Sequence, residues 1–343
     1  AVMPLSDSSS MHLMRAESPG PSVGKLVPKV KTTAMILYGI YVVFTVIEII
    51  ALLIAGMPLF DSMTLTFGTV GTGGFGLLNS SIASYSTAVQ IIITVFMIIC
   101  SINFTVYYMF LIKRPKEALM CEEMRYYLLI VFGSALLIAF NIRASFASFG
   151  KAFQQAIFQV ASVISTTGFA TADFNLWPEF SRMILVLLMF VGACAGSTGG
   201  GFKVSRLIIM VKSVRNEIMS VTHPRSVQKV HMDGRRIPDN VVKTVLCYLA
   251  GYVVILIVSV LLISLDNFDM TTNFTAVMAT FNNVGPGLNR VGPTGNFGGF
   301  SVLSKLVLMF DMLVGRLELY PMLVIFAPGL WRIHPHRHVG KVQ

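Results

Sequence analysis

Apolar residues run through this chain in long blocks separated by short mixed stretches. Positions 34–56, 86–112, 183–210, 241–265 and 302–328 are nearly all apolar, and 124–141 forms a shorter block of the same kind. About 20 residues of helix cross about 30 Å of hydrocarbon at a rise of about 1.5 Å each, so these blocks predict membrane-spanning helices. Three shorter amphipathic stretches, 58–67, 149–164 and 269–281, lie between blocks, and each runs into a glycine-bearing loop. The loops are Thr69-Val70-Gly71-Thr72-Gly73-Gly74-Phe75, Ser165-Thr166-Thr167-Gly168-Phe169 and Asn282-Asn283-Val284-Gly285-Pro286.

One order therefore recurs: apolar span, short helix, glycine loop, apolar span. The units are 33–112, 113–212 and 241–330, with a polar loop at 213–240 and a polar tail at 331–343. The short helices cannot cross a bilayer, so they are expected to be re-entrant, which is tolerated only where protein or water satisfies their ends. Their C-terminal carbonyls then aim at the loops, and their dipoles favour a cation there. Small residues with freely oriented backbone carbonyls replace an ion's hydration shell, so the loops read as a selectivity filter. The predicted fold is an all-α polytopic membrane protein. A ring of such units needs more than three, and residues 1–32 read as the cytoplasmic tail of a missing first repeat of about 100 residues.

Composition agrees with a bilayer protein: 55% of residues are hydrophobic, 12% are charged, and the mean hydropathy is +0.74. Soluble domains carry about a quarter charged residues. The net charge of +10 raises the question of nucleic acid, but the basic residues cluster at 15–31, 113–125, 206–243 and 332–341, all on one side of the predicted spans. The positive-inside rule makes that side cytoplasmic, puts both ends of the chain there, and removes nucleic acid as a partner in favour of membrane lipid. Cys100, Cys121, Cys194 and Cys247 have no metal-binding spacing and read as reduced bystanders.

Register within the loops follows from comparing them. Thr69-Val70-Gly71 tempts the eye toward Gly71, but Thr72-Gly73-Gly74-Phe75 matches Thr166-Thr167-Gly168-Phe169 position by position. The key glycines are therefore Gly74, Gly168 and Gly285, at a position where a reversed dihedral costs other residues about 1–2 kcal/mol. The carbonyls of Gly71, Thr72 and Gly73, of Ser165, Thr166 and Thr167, and of Asn282, Asn283 and Val284 then line the ion path.

The run Gly192-Ala193-Cys194-Ala195-Gly196-Ser197-Thr198-Gly199-Gly200-Gly201 interrupts an apolar block. Each glycine costs a helix up to about 1 kcal/mol, so the helix should break there. Irregular backbone at that depth needs a cavity, which places the run under the filter. A phosphate-binding loop is disfavoured because no Gly-Lys-Ser/Thr ending follows; a tight helix-packing face remains open. Arg316 is a charge in mid-span that requires compensation. Glu318, two residues on, projects to the far side of a helix, and the carbonyls of the glycine-rich run are the better partner.

Four motifs carry a family resemblance: Ser165-Thr166-Thr167-Gly168-Phe169-Ala170-Thr171-Ala172-Asp173, Gly196-Ser197-Thr198-Gly199-Gly200-Gly201-Phe202-Lys203-Val204, Asn282-Asn283-Val284-Gly285-Pro286-Gly287 and Gly315-Arg316-Leu317-Glu318-Leu319. The chain resembles the membrane subunits of the Trk/Ktr/HKT potassium-transporter superfamily, nearest the bacterial TrkH type, over its second to fourth repeats. That resemblance implies K+ as the transported ion, quasi-fourfold pore symmetry, a homodimer in the bacterial inner membrane, and a cytoplasmic nucleotide-binding regulatory subunit of the TrkA type. It also implies an intramembrane gate at Gly196, Ser197, Thr198, Gly199, Gly200, Gly201 and Lys203, contacted by Arg316 below the filter.

A cation-coupled symporter with alternating access is the competing reading of the same chain. No organic cofactor is expected, and no catalytic constellation points to an enzyme. Glu48 is expected to touch a neighbouring helix without a transport role, and Asp61 and Asp269 to cap the short helices. His334, His336 and His338 read as a solvated tail. Loop 213–240 is read either as a docking site for the regulatory subunit or as ordinary orientation charge.

Overall fold

The computed structural model describes residues 30–223, 228–317 and 319–325. The tail at 1–29, part of loop 213–240, Glu318 and the histidine-bearing tail lie outside the described residues. Helices dominate: α1 (Val30–Ile54), α2 (Leu59–Val70), α3 (Thr87–Cys100), α4 (Phe104–Leu111), α5 (Pro115–Leu119), α6 (Glu122–Ile142), α7 (Phe149–Ile164), α8 (Glu179–Val191), α9 (Val204–Thr222), α10 (Asp239–Ile263), α11 (Met270–Phe281), α12 (Val302–Leu317) and α13 (Leu319–Ile325). A two-stranded hairpin, β1 (His231–Met232) and β2 (Arg235–Arg236), follows α9.

The order long helix, short helix, glycine loop, helix occurs three times, at α1–α2–α3, α6–α7–α8 and α10–α11–α12. Local chemistry fixes the starts of several helices. Ser148 Oγ accepts from Lys151 N at 3.3 Å at the head of α7, and Asp269 Oδ2 accepts from Thr272 N at 3.0 Å at the head of α11. At the head of α2 the expectation for Asp61 fails. Pro58 holds the N-cap without a side-chain bond, and Asp61, three residues on, instead accepts from Tyr85 OH at 3.2 Å.

One further expectation is corrected. Positions 86–112 do not form one straight span, because α3 and α4 meet at 87°. Asn103 Oδ1 starts a new helix by accepting from Thr105 N at 2.9 Å, and the peptide groups at the bend bond elsewhere, as described below. Among the described residues, three single helices suffice by length and composition to cross a membrane, at Met35–Ile54, Glu122–Ser145 and Asp239–Asp266, or four spans if the bent pair counts as one.

The central core lies between α6, α7 and α8. Tyr127, Val131, Ala135 and Ile138 recur along one face of α6 and pack on Ala152, Ala156, Val160 and Val163 of α7. Alanines at this seam let the backbones approach closely. Leu65, Ile93 and Met97 of the first unit share a second cluster with Phe158 and Phe169 of the middle one. By contrast Val254, Ile257, Val258 and Leu261 of α10 are exposed along its outer side, as lipid contact requires.

Candidate functional site

The three glycine loops have one backbone. Gly71, Ser165 and Asn282 donate to carbonyls four residues back, those of Phe67, Ala161 and Met278, at 3.1, 3.0 and 3.2 Å. Thr72, Thr166 and Asn283 donate three residues back, to Thr69, Val163 and Thr280, at 3.1, 3.1 and 3.0 Å. Gly73, Thr167 and Val284 then reach Gly68, Ser162 and Ala279 at 2.8, 3.0 and 2.8 Å, and Gly74, Gly168 and Gly285 bond the same three carbonyls at 3.1, 3.3 and 3.3 Å. A planar trans peptide points its C=O opposite its N–H. The carbonyls of Gly71 to Gly73, Ser165 to Thr167 and Asn282 to Val284 are thereby turned away from the helix ends.

The shared hydrogen bonds make Gly74, Gly168 and Gly285 equivalent, with φ of 67°, 85° and 98°. A second left-handed residue precedes each by two: Thr72, Thr166 and Asn283 have φ of 51°, 59° and 57°. Sequence reasoning places the reversed dihedral at glycine alone, because a Thr gives no sign of it; Asn283, of a residue type enriched in this conformation, is the one position that hints at it.

Neighbouring loops touch through these glycines. A Cβ on Gly74 would lie 1.8 Å from Thr167 O, and one on Gly168 would lie 2.1 Å from Val284 O. The contacts step from the first loop to the second and from the second to the third. A Cβ on Gly285 would meet nothing within 4 Å among the described residues.

The glycine-rich run lies across the loops. α8 ends at Val191, where Gly192 takes φ 69°, and the chain stays irregular to Lys203, φ 84°. Gly192 and Gly201 pack backbone to backbone, since a Cβ on either would stand under 3.0 Å from the other. A Cβ on Gly199 would lie 2.9 Å from Ser165 O, and one on Gly200 2.9 Å from Asn282 O, so small residues are required beneath two loops. Thr72 Oγ1 donates to Thr198 O at 2.9 Å, and Gly200 N donates to Thr166 Oγ1 at 2.6 Å. Arg316 of α12 adds a bond from Nη1 to Thr198 O at 3.1 Å. The segment is thus tied to α2's loop, α7's loop and α12 together.

Other residues hold the segment that sequence reasoning missed. Cys194 N donates to Ser101 O at 3.0 Å and Phe104 N to Gly196 O at 3.1 Å, so the α3–α4 bend is braced against it. Thr198 Oγ1 adds a bond to Cys100 O at 3.2 Å. Glu123, 2% exposed, accepts from Ala195 N at 2.7 Å and Ser205 N at 3.1 Å. Lys203, also buried, donates from Nζ to Gly199 O. A carboxylate in a helix's first turn ordinarily reads as dipole complement, and partners 72 and 82 positions away leave no local signal.

Glu48 packs inside the protein, as contact with a neighbouring helix requires. It is fully buried on α1, and neither carboxylate oxygen has a hydrogen-bond partner among the described residues. All four cysteines are free, with Cys100 and Cys194 buried. Among the described residues no group of three or more His, Cys, Asp or Glu forms a metal cluster.

Comparison with known proteins agrees with this architecture. The family model described as TrkH, cation transport protein, matches residues 1–333. The Trk system potassium uptake protein TrkH of Salmonella typhimurium is 35% identical over 340 residues, covering 97% of this chain and 69% of that protein. TrkG of Escherichia coli is 30% identical over 336 residues, covering 97% of this chain and 69% of its own length. The crystal structure of the potassium transporter TrkH from Vibrio parahaemolyticus superposes with a TM-score of 0.84 at 33% identity, over 93% of this chain and 69% of that one. Span, irregular segment and loop backbone thus lie in a chain whose match is nearly end to end, and this protein belongs to the TrkH family of cation transport proteins.

Proposed function

We propose that this chain is the pore-forming subunit of a potassium uptake system. K+ passes along the carbonyls of residues 71–73, 165–167 and 282–284, and the glycine-rich segment 196–203 is the gate across that path. The observation that carries the reading is the shared backbone of the three loops with the segment tied directly beneath them. Relatives bearing the name potassium uptake protein supply the ion.

On this reading α2, α7 and α11 are pore helices, and their C-terminal carbonyl ends lower the energy of a cation between the loops. Carbonyls replace hydration oxygens, and the ring formed by loop-to-loop contacts sets their spacing. The ring has quasi-fourfold symmetry, with its fourth loop supplied by a further repeat that meets the open side of Gly285. The gate is closed by two effects of Arg316: its bond to Thr198 O and the repulsion of its charge toward a cation below the filter. A homodimer in the bacterial inner membrane, with both ends cytoplasmic and a TrkA-type nucleotide-binding subunit docked near loop 213–240, completes the proposal.

The test is ion flux from proteoliposomes holding the native full-length protein, driven separately by K+ and Na+ gradients. K+ flux exceeding Na+ flux without any proton gradient is expected. Equal flux of both ions, or K+ uptake that stops when the proton gradient is collapsed, overturns the reading.

A further inference from the structure

The hairpin β1–β2 has a tight turn at Asp233 and Gly234, with φ of 52° and 72°. Its turn side chain does not serve the hairpin. Asp233 Oδ1 accepts from Glu122 N at 2.7 Å, 111 residues away, at the head of α6. Cys121 at that N-cap offers no side-chain bond, so the hairpin provides the cap that α6 lacks. Lys212 of α9 fastens the same corner by donating both to Glu122 Oε2 and, at 2.7 Å, to His231 O. Met232, 3% exposed, seats the hairpin against Ile209 of α9 and Val245 of α10.

The next residue after Glu122 reaches the other way. One oxygen, Glu123 Oε1, accepts from Ala195 N and from Ser205 N, which flank segment 196–203 on its two sides. A shift of α6's first turn therefore strains both bonds at once. The acceptor is nearly solvent-free, so water does not replace a lost bond.

We propose that the first turn of α6 couples hairpin β1–β2 to the glycine-rich segment, with Glu123 as the positioning residue that holds the segment shut. The inference rests on the gate reading above. Whatever displaces the hairpin uncaps α6, moves Glu123 and releases the segment; a regulatory protein that grips the exposed hairpin acts through this route.

The experiment measures basal K+ flux of the native full-length protein in proteoliposomes for four variants: Glu123→Ala, Glu123→Gln, Asp233→Ala and Arg316→Ala. Glu123→Ala is expected to raise flux roughly tenfold, and Asp233→Ala roughly threefold, in line with lost bonds of ordinary strength. Glu123→Gln keeps an acceptor oxygen and is expected to rise less than Glu123→Ala. The K+/Na+ flux ratio stays at the wild-type value in all of them, which general loosening of the fold would not allow. Asp233 is exposed on a turn, so its variant is readable even where Glu123→Ala fails to fold. Unchanged flux in Asp233→Ala with raised flux in Arg316→Ala overturns the coupling and leaves the gate reading standing. Unchanged flux in Arg316→Ala as well overturns both.

Discussion

Arg316 on α12 reaches the carbonyl oxygen of Thr198, 118 residues earlier, with Nη1 at 3.1 Å. The same oxygen accepts from Thr72 Oγ1 at 2.9 Å. A single backbone group beneath the loops thus gathers donors from two other units of the chain.

Removing Arg316 should open the path. A hydrogen bond from a charged donor contributes about 1.5–3 kcal/mol, equivalent to a factor of about 10–160 in a two-state equilibrium. Arg316→Ala is expected to raise basal K+ flux by roughly that factor, and Arg316→Lys, which keeps the charge but loses the planar fork, by less. Proteoliposome flux decides it; a wild-type rate for Arg316→Ala rules out a closing role.

The loop glycines should differ in their tolerance of a methyl group. Gly74→Ala and Gly168→Ala put a Cβ within 1.8 and 2.1 Å of backbone oxygens, and both also carry the positive-φ penalty of about 1–2 kcal/mol. Gly285→Ala carries the φ penalty alone, since nothing lies within 4 Å of its Cβ among the described residues. The K+/Na+ flux ratio should collapse in the first two and fall only modestly in the third. Equal loss in all three variants would show that conformation rather than contact dominates.

Much of the architecture was legible because its causes are local. Helix α7 occupies 149–164 as its amphipathic stretch predicts, with Ser148 as cap. Helix α11 starts where Asp269 announces it. The five glycines in 192–201 cost a helix too much, and the helix breaks there. What stayed hidden depends on distant partners. Within 86–112 only Ser101 and Asn103 hint at the bend, whose peptide groups are claimed by Cys194 and Gly196. Glu123 resembles any acidic first-turn residue until the fold brings Ala195 and Ser205 against it. The left-handed Thr72 and Thr166 show the same limit, since propensity argues against the conformation that packing imposes.

Two threonines of the loops should be unequal. Thr166→Val leaves the buried Gly200 N–H without its 2.6 Å acceptor, a penalty of about 1–3 kcal/mol against the closed segment. Thr72→Val removes a donor from Thr198 O, which keeps its bond to Arg316. Basal flux should rise more in Thr166→Val than in Thr72→Val, with the double variant Thr72→Val plus Arg316→Ala exceeding either of its single changes. The reverse order would mean that Thr198 O, not Gly200 N, is the principal anchor.

Asp269 gives a prediction with a pH signature. Its carboxylate accepts from Thr272 N at 3.0 Å, Thr272 Oγ1 at 2.6 Å and Asn289 Nδ2 at 2.8 Å. These bonds, the Thr272 hydroxyl foremost, hold the carboxyl below its ordinary value. A group whose folded value is depressed stabilises the fold above its unfolded value and loses that contribution as pH falls through the folded one. The contribution should be complete at pH 7 and fade below about pH 4. Asp269→Ala removes the cap of α11 and should cost about 1 kcal/mol, seen as a lower melting temperature in detergent at pH 7. At pH 3 the gap to wild type should narrow, because the protonated wild-type side chain caps poorly too. Asp269→Asn retains an acceptor oxygen and should fall between the two at pH 7, with a gap to wild type that also narrows on acidification. A gap for Asp269→Ala that is the same at both pH values would mean that shape rather than the charged cap sets the contribution of this residue.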